Sequence, residues 1–271
     1  VHYGYACVGR VTHVGSPDDG PWIGRRVFAF HPHASRFIAA LADLLPIPET
    51  ISNDQAVFFP NLETAVSLVQ DGAPILGERV AIFGQGVVGL LTAMLVARHP
   101  GLTVVSVDPL PRRRQLSLRL GAHASLDPLA ARFPSQLAAA LGGGQADGAA
   151  DLAYELSGSA TALNAAIRAA GFQARIVIGA WYGSRPAELD LGGEFHRRRL
   201  RLVSSQVSRI DPALSARWTK ARRYDLTWRL LEQIHADEWI THRIPIAHAG
   251  RAYQQLDRRP EETLQVVLTY S

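Results

Sequence analysis

The run Gly84-Gln85-Gly86-Val87-Val88-Gly89 follows the apolar stretch Arg79-Val80-Ala81-Ile82-Phe83 and fits the spacing G-x-G-x-x-G. Placed between a strand and a helix, each glycine has its own use. Gly84 permits a tight turn, Gly86 lets backbone amides approach a pyrophosphate with no Cβ in the way, and Gly89 lets the helix close on the strand. The helix start at Val87 and Val88 then offers N–H groups and partial positive charge to the anion. Alone the pattern is weak, because glycine turns recur by chance. Asp108 strengthens it, ending the next expected strand near the ~20-residue spacing at which an acid meets the adenosine ribose. A carboxylate there accepts from ribose hydroxyls and repels a 2′-phosphate, which favours NAD. Arg112, Arg113 and Arg114 pull towards NADP, so both cofactors stay open, NAD first. The alternatives are an ordinary βαβ unit whose glycines serve packing, and a methyltransferase, whose glycines usually alternate.

The elements that must hold this turn are legible in the rhythm of the chain. Residues 79–83 read as a buried strand, 87–98 as an apolar helix, 104–107 as a second strand and 112–120 as a second helix. A strand at 151–156, a helix at 160–170 and a strand at 175–178 continue the series, with Gly142-Gly143-Gly144 as a turn before them. Strands alternating with helices predict a parallel sheet covered on both faces. The first fifty residues differ, being short apolar runs cut by Gly and Pro. Residues 26–30 and 36–39 read as strands there. Helix is expected from Ser52-Asn53-Asp54 to Leu68, broken at Pro60-Asn61. The chain ends with a helix near 247–256 and a strand at 264–268.

Composition narrows the function classes. The 271 residues are 47% hydrophobic and 19% charged, as in globular proteins with a full core. Net charge is only +4, and apart from Arg197-Arg198-Arg199-Leu200-Arg201 the arginines are scattered. Nucleic acid is therefore not an expected partner. Lys220 is the sole lysine. Cys7 is the only cysteine, which rules out an internal disulfide and points to a reducing cytoplasm. The apolar stretch 80–97 is broken by Gln85, Thr92 and glycines, so no membrane partner is expected either.

Taken together, these features resemble the medium-chain dehydrogenase/reductase (alcohol dehydrogenase-like) superfamily over nearly the whole chain. Gly4…Gly9-Arg10-Val11…Gly15 is similar to its substrate-domain G-H-E-x-x-G-x-V segment, and Asn61-Leu62-Glu63-Thr64-Ala65 to its hinge. Gly148-Ala149-Ala150-Asp151…Glu155-Leu156-Ser157-Gly158 is similar to a later strand with its cofactor-side turn, and Thr241-His242-Arg243-Ile244-Pro245 to the return to the substrate domain. More narrowly, Phe28-Ala29-Phe30-His31-Pro32-His33, Trp181-Tyr182-Gly183 and Ser204-Ser205-Gln206-Val207 resemble a bacterial subgroup. Its members are labelled threonine-dehydrogenase-like or zinc-binding alcohol dehydrogenases, and it is similar to the bacteriochlorophyllide dehydrogenases. The resemblance implies a Rossmann-type α/β domain over residues 66–239. It also implies a discontinuous, mostly β, GroES-like substrate domain from 1–65 and 240–271, incomplete at its N-terminal end.

The implied activity is hydride transfer between NAD(P) and an alcohol or carbonyl, with a small-molecule substrate and a homodimer as assembly. Tyr5 stands where the family carries a zinc-binding His, and Pro60 near a later ligand, so no catalytic zinc is expected. A carbonyl must then be polarised by hydrogen-bond donors. By resemblance the candidates are Tyr5, His31, Glu63 and Thr64. Their structural alternatives are a core aromatic for Tyr5, a turn feature for the His31/His33 pair, and helix capping for Glu63 and Thr64. Ser157, Gly179 and Ser205 join Gly84, Gly86, Val87, Val88, Gly89, Asp108 and Arg113 as the implied cofactor contacts. A quinone or enoyl reductase on the same scaffold, or a truncated nucleotide-binding protein with little catalysis, are the alternatives.

Overall fold

The computed structural model describes residues 3–142, 149–184 and 186–270. The turn expected at Gly143-Gly144, and Gly148 of the later motif, lie outside the described residues. Along the chain, strands β1 (Cys7–Arg10), β2 (Arg26–Ala29) and β3 (Leu44–Pro46) precede helices α1 (Asn53–Ala56) and α2 (Phe59–Gly72). An alternating series follows: β4 (Arg79–Phe83), α3 (Val87–Ala97), β5 (Thr103–Val107), α4 (Pro111–Arg119), β6 (Ala124–Leu126) and α5 (Phe133–Ala140). It continues with β7 (Ala150–Glu155), α6 (Ala160–Ala169), β8 (Ala170–Ile178) and β9 (Arg201–Ser204). Helix α7 (Lys220–Leu231), β10 (Ile240–Pro245), α8 (Ala249–Arg258) and β11 (Gln265–Thr269) close the chain. Two compact units emerge, Val1–Pro60 with Ala221–Ser271, and Asn61–Lys220. The sequence reading drew its divisions at 65/66 and 239/240.

The Asn61–Lys220 unit is built on a six-stranded sheet in the order β6-β5-β4-β7-β8-β9, all neighbours parallel. That is the doubly wound dinucleotide-fold order, with β4 as first strand and the order reversing between β4 and β7. Alternation along β4 divides the core. Ala81 and Phe83 pack with Leu137, Leu163 and Ile167 of α5 and α6 on one face. Val80 and Ile82 pack with Leu68 of α2 and Ala93 and Val96 of α3 on the other. Both strand faces are thus dry, which is why the strands read as continuous apolar runs. The apolar stretch 80–97 resolves into β4 and the buried helix α3. Among the described residues no helix is long and apolar enough to cross a membrane.

In the other unit, β1, β2 and β3 form an antiparallel sheet, and β10 pairs with β11 in parallel across α8. Phe28 and Phe59 are wholly buried and pack against each other, with Tyr224 and Trp228 of α7 on Phe59. Each buried Phe contributes roughly 1.5–3 kcal/mol.

Two expectations need correction. Residues 36–39 are not a strand: Phe37 lies flat on the His31 ring at 3.8 Å, Ile38 points to solvent, and the third strand forms instead at Leu44–Pro46. Pro60 does not break a helix but stands second in α2, where a missing N–H costs nothing. The break falls earlier, after α1, whose start carries a reciprocal capping box between Ser52 and Gln55.

Candidate functional site

Every strand of the six-stranded sheet delivers its following turn to one edge, and the candidate residues of the glycine turn, with Asp108 and Ser157, collect there. Beyond β4, Gly84 takes φ +91°, and an added Cβ would lie 2.7 Å from the Ser157 amide nitrogen, so only glycine fits. At Gly89 a Cβ would sit 1.9 Å from the Gly84 carbonyl oxygen, so this glycine lets α3 close on its own turn. Gly86 is different. Its φ is −67°, open to any residue, and an added Cβ would meet nothing within 4 Å. The protein itself does not require glycine here; a ligand occupying that open space would. Gly86 also caps α3 with no side chain, leaving an uncapped helix start at Val87 and Val88, a position that favours an anion. These residues fit a dinucleotide's pyrophosphate.

Asp108 follows β5 and is 3% exposed. One carboxylate oxygen accepts from the Gln85 amide at 2.7 Å and the other from the Leu110 amide at 2.8 Å, so the acid ties the glycine turn to the turn after β5. A carboxylate has about four lone-pair positions, and ribose hydroxyls can use those that remain. Arg113 approaches it at 3.9 Å. Arg114 instead donates to the carbonyls of Asp108 and Pro109 and pairs with Asp127 at 3.3 Å, so its guanidinium is committed to the protein.

On the other side of β4, Glu155 is wholly buried at the end of β7, level with Phe83. Four donors satisfy it: the amides of Ser157 and Gly158, the Ser157 hydroxyl and, at 2.7 Å, the Tyr182 hydroxyl. Burial, then the bond and charge of Glu155, push the Tyr182 phenol well above its usual range. In the sequence Glu155 stands out only as part of the motif Gly148…Gly158. Its signal was an acid ending a strand of the parallel sheet, the same signal that singled out Asp108.

The remaining candidates are placed as follows. Gly179 lies against Leu68 and Leu156, where a Cβ would come within 2.4 Å of Leu68, so packing favours a glycine there. The Ser205 hydroxyl is bonded to Asp71 of α2 at 2.5 Å. Glu63 of α2 is buried and paired with Lys220 at 2.7 Å, and half-buried Thr64 follows it. In the other unit Tyr5 is 60% exposed. The neighbouring Gly4, at φ +86°, faces the His33 ring so closely that a Cβ would fall 2.5 Å from its Nε2. The opening segment is therefore fitted onto His31-Pro32-His33. His31 stacks on Phe37 with Nδ1 2.8 Å from the Pro32 carbonyl, and burial lowers the His33 pKa.

A six-stranded parallel sheet with this order and a glycine cradle at its switch point defines a dinucleotide-binding domain. The model of the zinc-binding dehydrogenase family matches residues 87–223. The chain belongs to that family, within the medium-chain dehydrogenase/reductase superfamily of alcohol dehydrogenase-like oxidoreductases. It is similar to D-guloside 3-dehydrogenase of Escherichia coli K12, 25% identical over 98% of this chain and 77% of that one. It is also similar to L-galactonate-5-dehydrogenase of the same organism, 26% identical over 97% and 69%. The fold matches an alcohol dehydrogenase from E. coli CFT073 solved with NADH, with TM-score 0.77 at 19% identity over 98% of this chain and 83% of that one.

The side-chain donors of the described residues do not fit the zinc of the family name. Among the described residues no three His, Cys, Asp or Glu side chains gather where they could hold a metal ion. Cys7 is a lone thiol whose pKa is raised by burial.

Proposed function

We propose that the chain transfers a hydride between NAD, in preference to NADP, and the hydroxyl-bearing or carbonyl carbon of a small polyhydroxylated substrate, without catalytic zinc. The observation that carries this reading is Gly86, a glycine that neither backbone angle nor packing demands, at an uncapped helix start beside a buried acid. The nicotinamide supplies or accepts the hydride when bound. The chain's own part begins with the Val87 and Val88 amides, which hold the pyrophosphate. Asp108 accepts from the adenosine ribose, and its charge, only partly offset by Arg113, opposes a 2′-phosphate. Glu155 fixes the Ser157–Gly158 turn that lies against Gly84, on the side of the sheet left for the nicotinamide half. Arg113, Ser157, Gly179 and Ser205 complete the proposed cofactor edge, with Glu63 and Thr64 beside it. Tyr5 and His31 are the candidate donors in the other unit.

The two sugar-oxidising relatives support a polyol or sugar-acid substrate. The lone cysteine supports a reducing cytoplasm, and the superfamily resemblance a homodimer. Titration with NADH and NADPH, read by quenching of tryptophan emission, tests the cofactor. Absorbance at the nicotinamide band with gulosides, galactonate and related polyols tests the substrate class. NADH binding tighter than NADPH, with turnover that survives a chelator, is the expected result. No quenching by either nucleotide would overturn the reading.

A further inference from the structure

One residue stands apart from the composition. Of 28 Lys and Arg side chains, a single one is lysine. A chain that otherwise supplies its positive side-chain charge with arginine carries a compact, three-donor ammonium at one position, and an arginine is no substitute where a point donor is needed. That residue, Lys220, opens α7, where a cation has the wrong sign for the helix dipole, so the helix does not explain it.

Its partners indicate a role. Nζ lies 2.7 Å from Oε1 of Glu63, whose side chain is 2% exposed, and 2.9 Å from the Val207 carbonyl oxygen. Val207 comes three residues after β9, so the ammonium is held off the strand-end edge that carries the glycine turn. A dinucleotide lying across the reversal between β4 and β7 puts its adenosine half towards Asp108 and its other half towards β7, β8 and β9. The ammonium is therefore on the reactive half, with a third of its side chain open to solvent. Buried Glu63 and a backbone carbonyl fix its position, as electrostatic catalysis requires of a donor.

We infer that Lys220 is a catalytic residue that donates a proton to the substrate oxygen, with Glu63 as its positioning residue. The inference rests on the hydride-transfer reading above. In the reducing direction the carbonyl carbon receives the hydride, and the C=O π pair moves to oxygen. That oxygen takes a proton from Nζ, and the amine left behind is reprotonated by solvent. In the oxidising direction the amine takes up the hydroxyl proton. An ammonium in this place polarises the substrate carbonyl as a fixed hydrogen-bond donor.

The sole lysine makes the test specific. Reductive methylation with formaldehyde and cyanoborohydride labels primary amines, and the only side-chain amine is Lys220. Its dimethylation, read by peptide mass in the intact protein, is expected to slow at least fivefold in saturating NADH. Quenching of tryptophan emission reports NADH binding independently. Absence of quenching would sink the dinucleotide reading, whereas quenching with unchanged labelling would overturn the assignment of Lys220 alone. Lys220→Ala should then bind NADH within threefold of the parent, lose at least 100-fold in kcat on the polyol the parent oxidises, and recover rate in proportion to added methylamine. Glu63→Gln should lower kcat with KM and NADH affinity nearly unchanged. A Lys220→Ala rate equal to the parent, or a loss that no amine restores while NADH still binds, would refute the inference.

Discussion

The sharpest test of the nucleotide cradle sets Gly86→Ala against Gly89→Ala, because one motif holds both glycines for different reasons. At Gly86 the new methyl meets no atom within 4 Å and the backbone is already extended. Losing glycine as an N-cap costs about 0.5 kcal/mol, and restricting the unfolded chain returns about 0.4–1 kcal/mol. Gly86→Ala should therefore keep its Tm within roughly 2 °C of the parent, at about 2–4 °C per kcal/mol for a unit of this size. At Gly89 the methyl falls 1.9 Å from the Gly84 carbonyl oxygen, a backbone atom that cannot rotate away. Overpacking of this kind costs about 3 kcal/mol, a Tm fall of roughly 6–12 °C. Affinity should reverse the order of harm. In the proposed cradle, the methyl of Gly86→Ala would occupy the space through which the α3 amides would reach the pyrophosphate. Losing one hydrogen bond to a charged group costs about 1.5–3 kcal/mol, or roughly 10- to 150-fold in Kd. Thermal melting without ligand and NADH titration on the same three proteins decide the matter. A Gly86→Ala protein that melts like the parent and binds NADH as tightly would refute the cradle.

Other substitutions probe the two acids beside β4. Asp108→Ser should shift the NADPH:NADH affinity ratio at least tenfold towards NADPH, and an unchanged ratio would put the ribose site elsewhere. Glu155→Gln turns an amide NH2 towards at least one of four donors, costing about 1.5–3 kcal/mol and lowering Tm by roughly 3–12 °C; an unmoved Tm would show the network to be inessential. Tyr182 adds a pH dependence. Its phenol pKa is raised in the folded chain, so its contribution to stability is complete below the ordinary tyrosine value near 10 and is lost as pH rises beyond it. Between pH 8 and 10.5 the parent should lose more Tm than Tyr182→Phe, which also cancels the background from Tyr154, raised by its own burial. Equal losses would mean that the bond to Glu155 does not hold the phenol neutral.

The sequence was most legible where one residue type answers to one physical demand. The strands 79–83 and 104–107 and the helix after them lie within a residue or two of β4, β5 and α3, because a sheet covered on both faces leaves uninterrupted apolar runs. It was least legible where a partner decides. Residues 36–39 have the composition of a strand, but Phe37 packs flat on His31 and the backbone partner of β2 is Leu44–Pro46 instead. Helix α7 was not read, because its buried Arg223 and Thr227 interrupt the apolar stripe a periodicity search looks for. Gly179 and Ser205 were carried over by resemblance. Local geometry gives each a task within the fold, Gly179 against Leu68 and Ser205 on Asp71, both set by residues distant in the chain.

Asp108 and Glu155 show why a cofactor edge contains more buried charge than its ligand can explain. The turns after β5 and β7 flank the glycine turn, and each must expose backbone amides at a sheet edge while staying in one conformation. Neutral side chains would satisfy those amides weakly, since hydrogen bonds to a charged group contribute about 1.5–3 kcal/mol against about 1 kcal/mol for neutral pairs. A buried carboxylate gathers several amides at once, two for Asp108 and two for Glu155 with two hydroxyls besides. Both acids therefore preorganise loops, and in the proposed function only Asp108 reads the ligand as well. The distinction is measurable: Glu155→Gln should change NADH and NADPH affinity by the same factor, whereas Asp108→Ser should change their ratio.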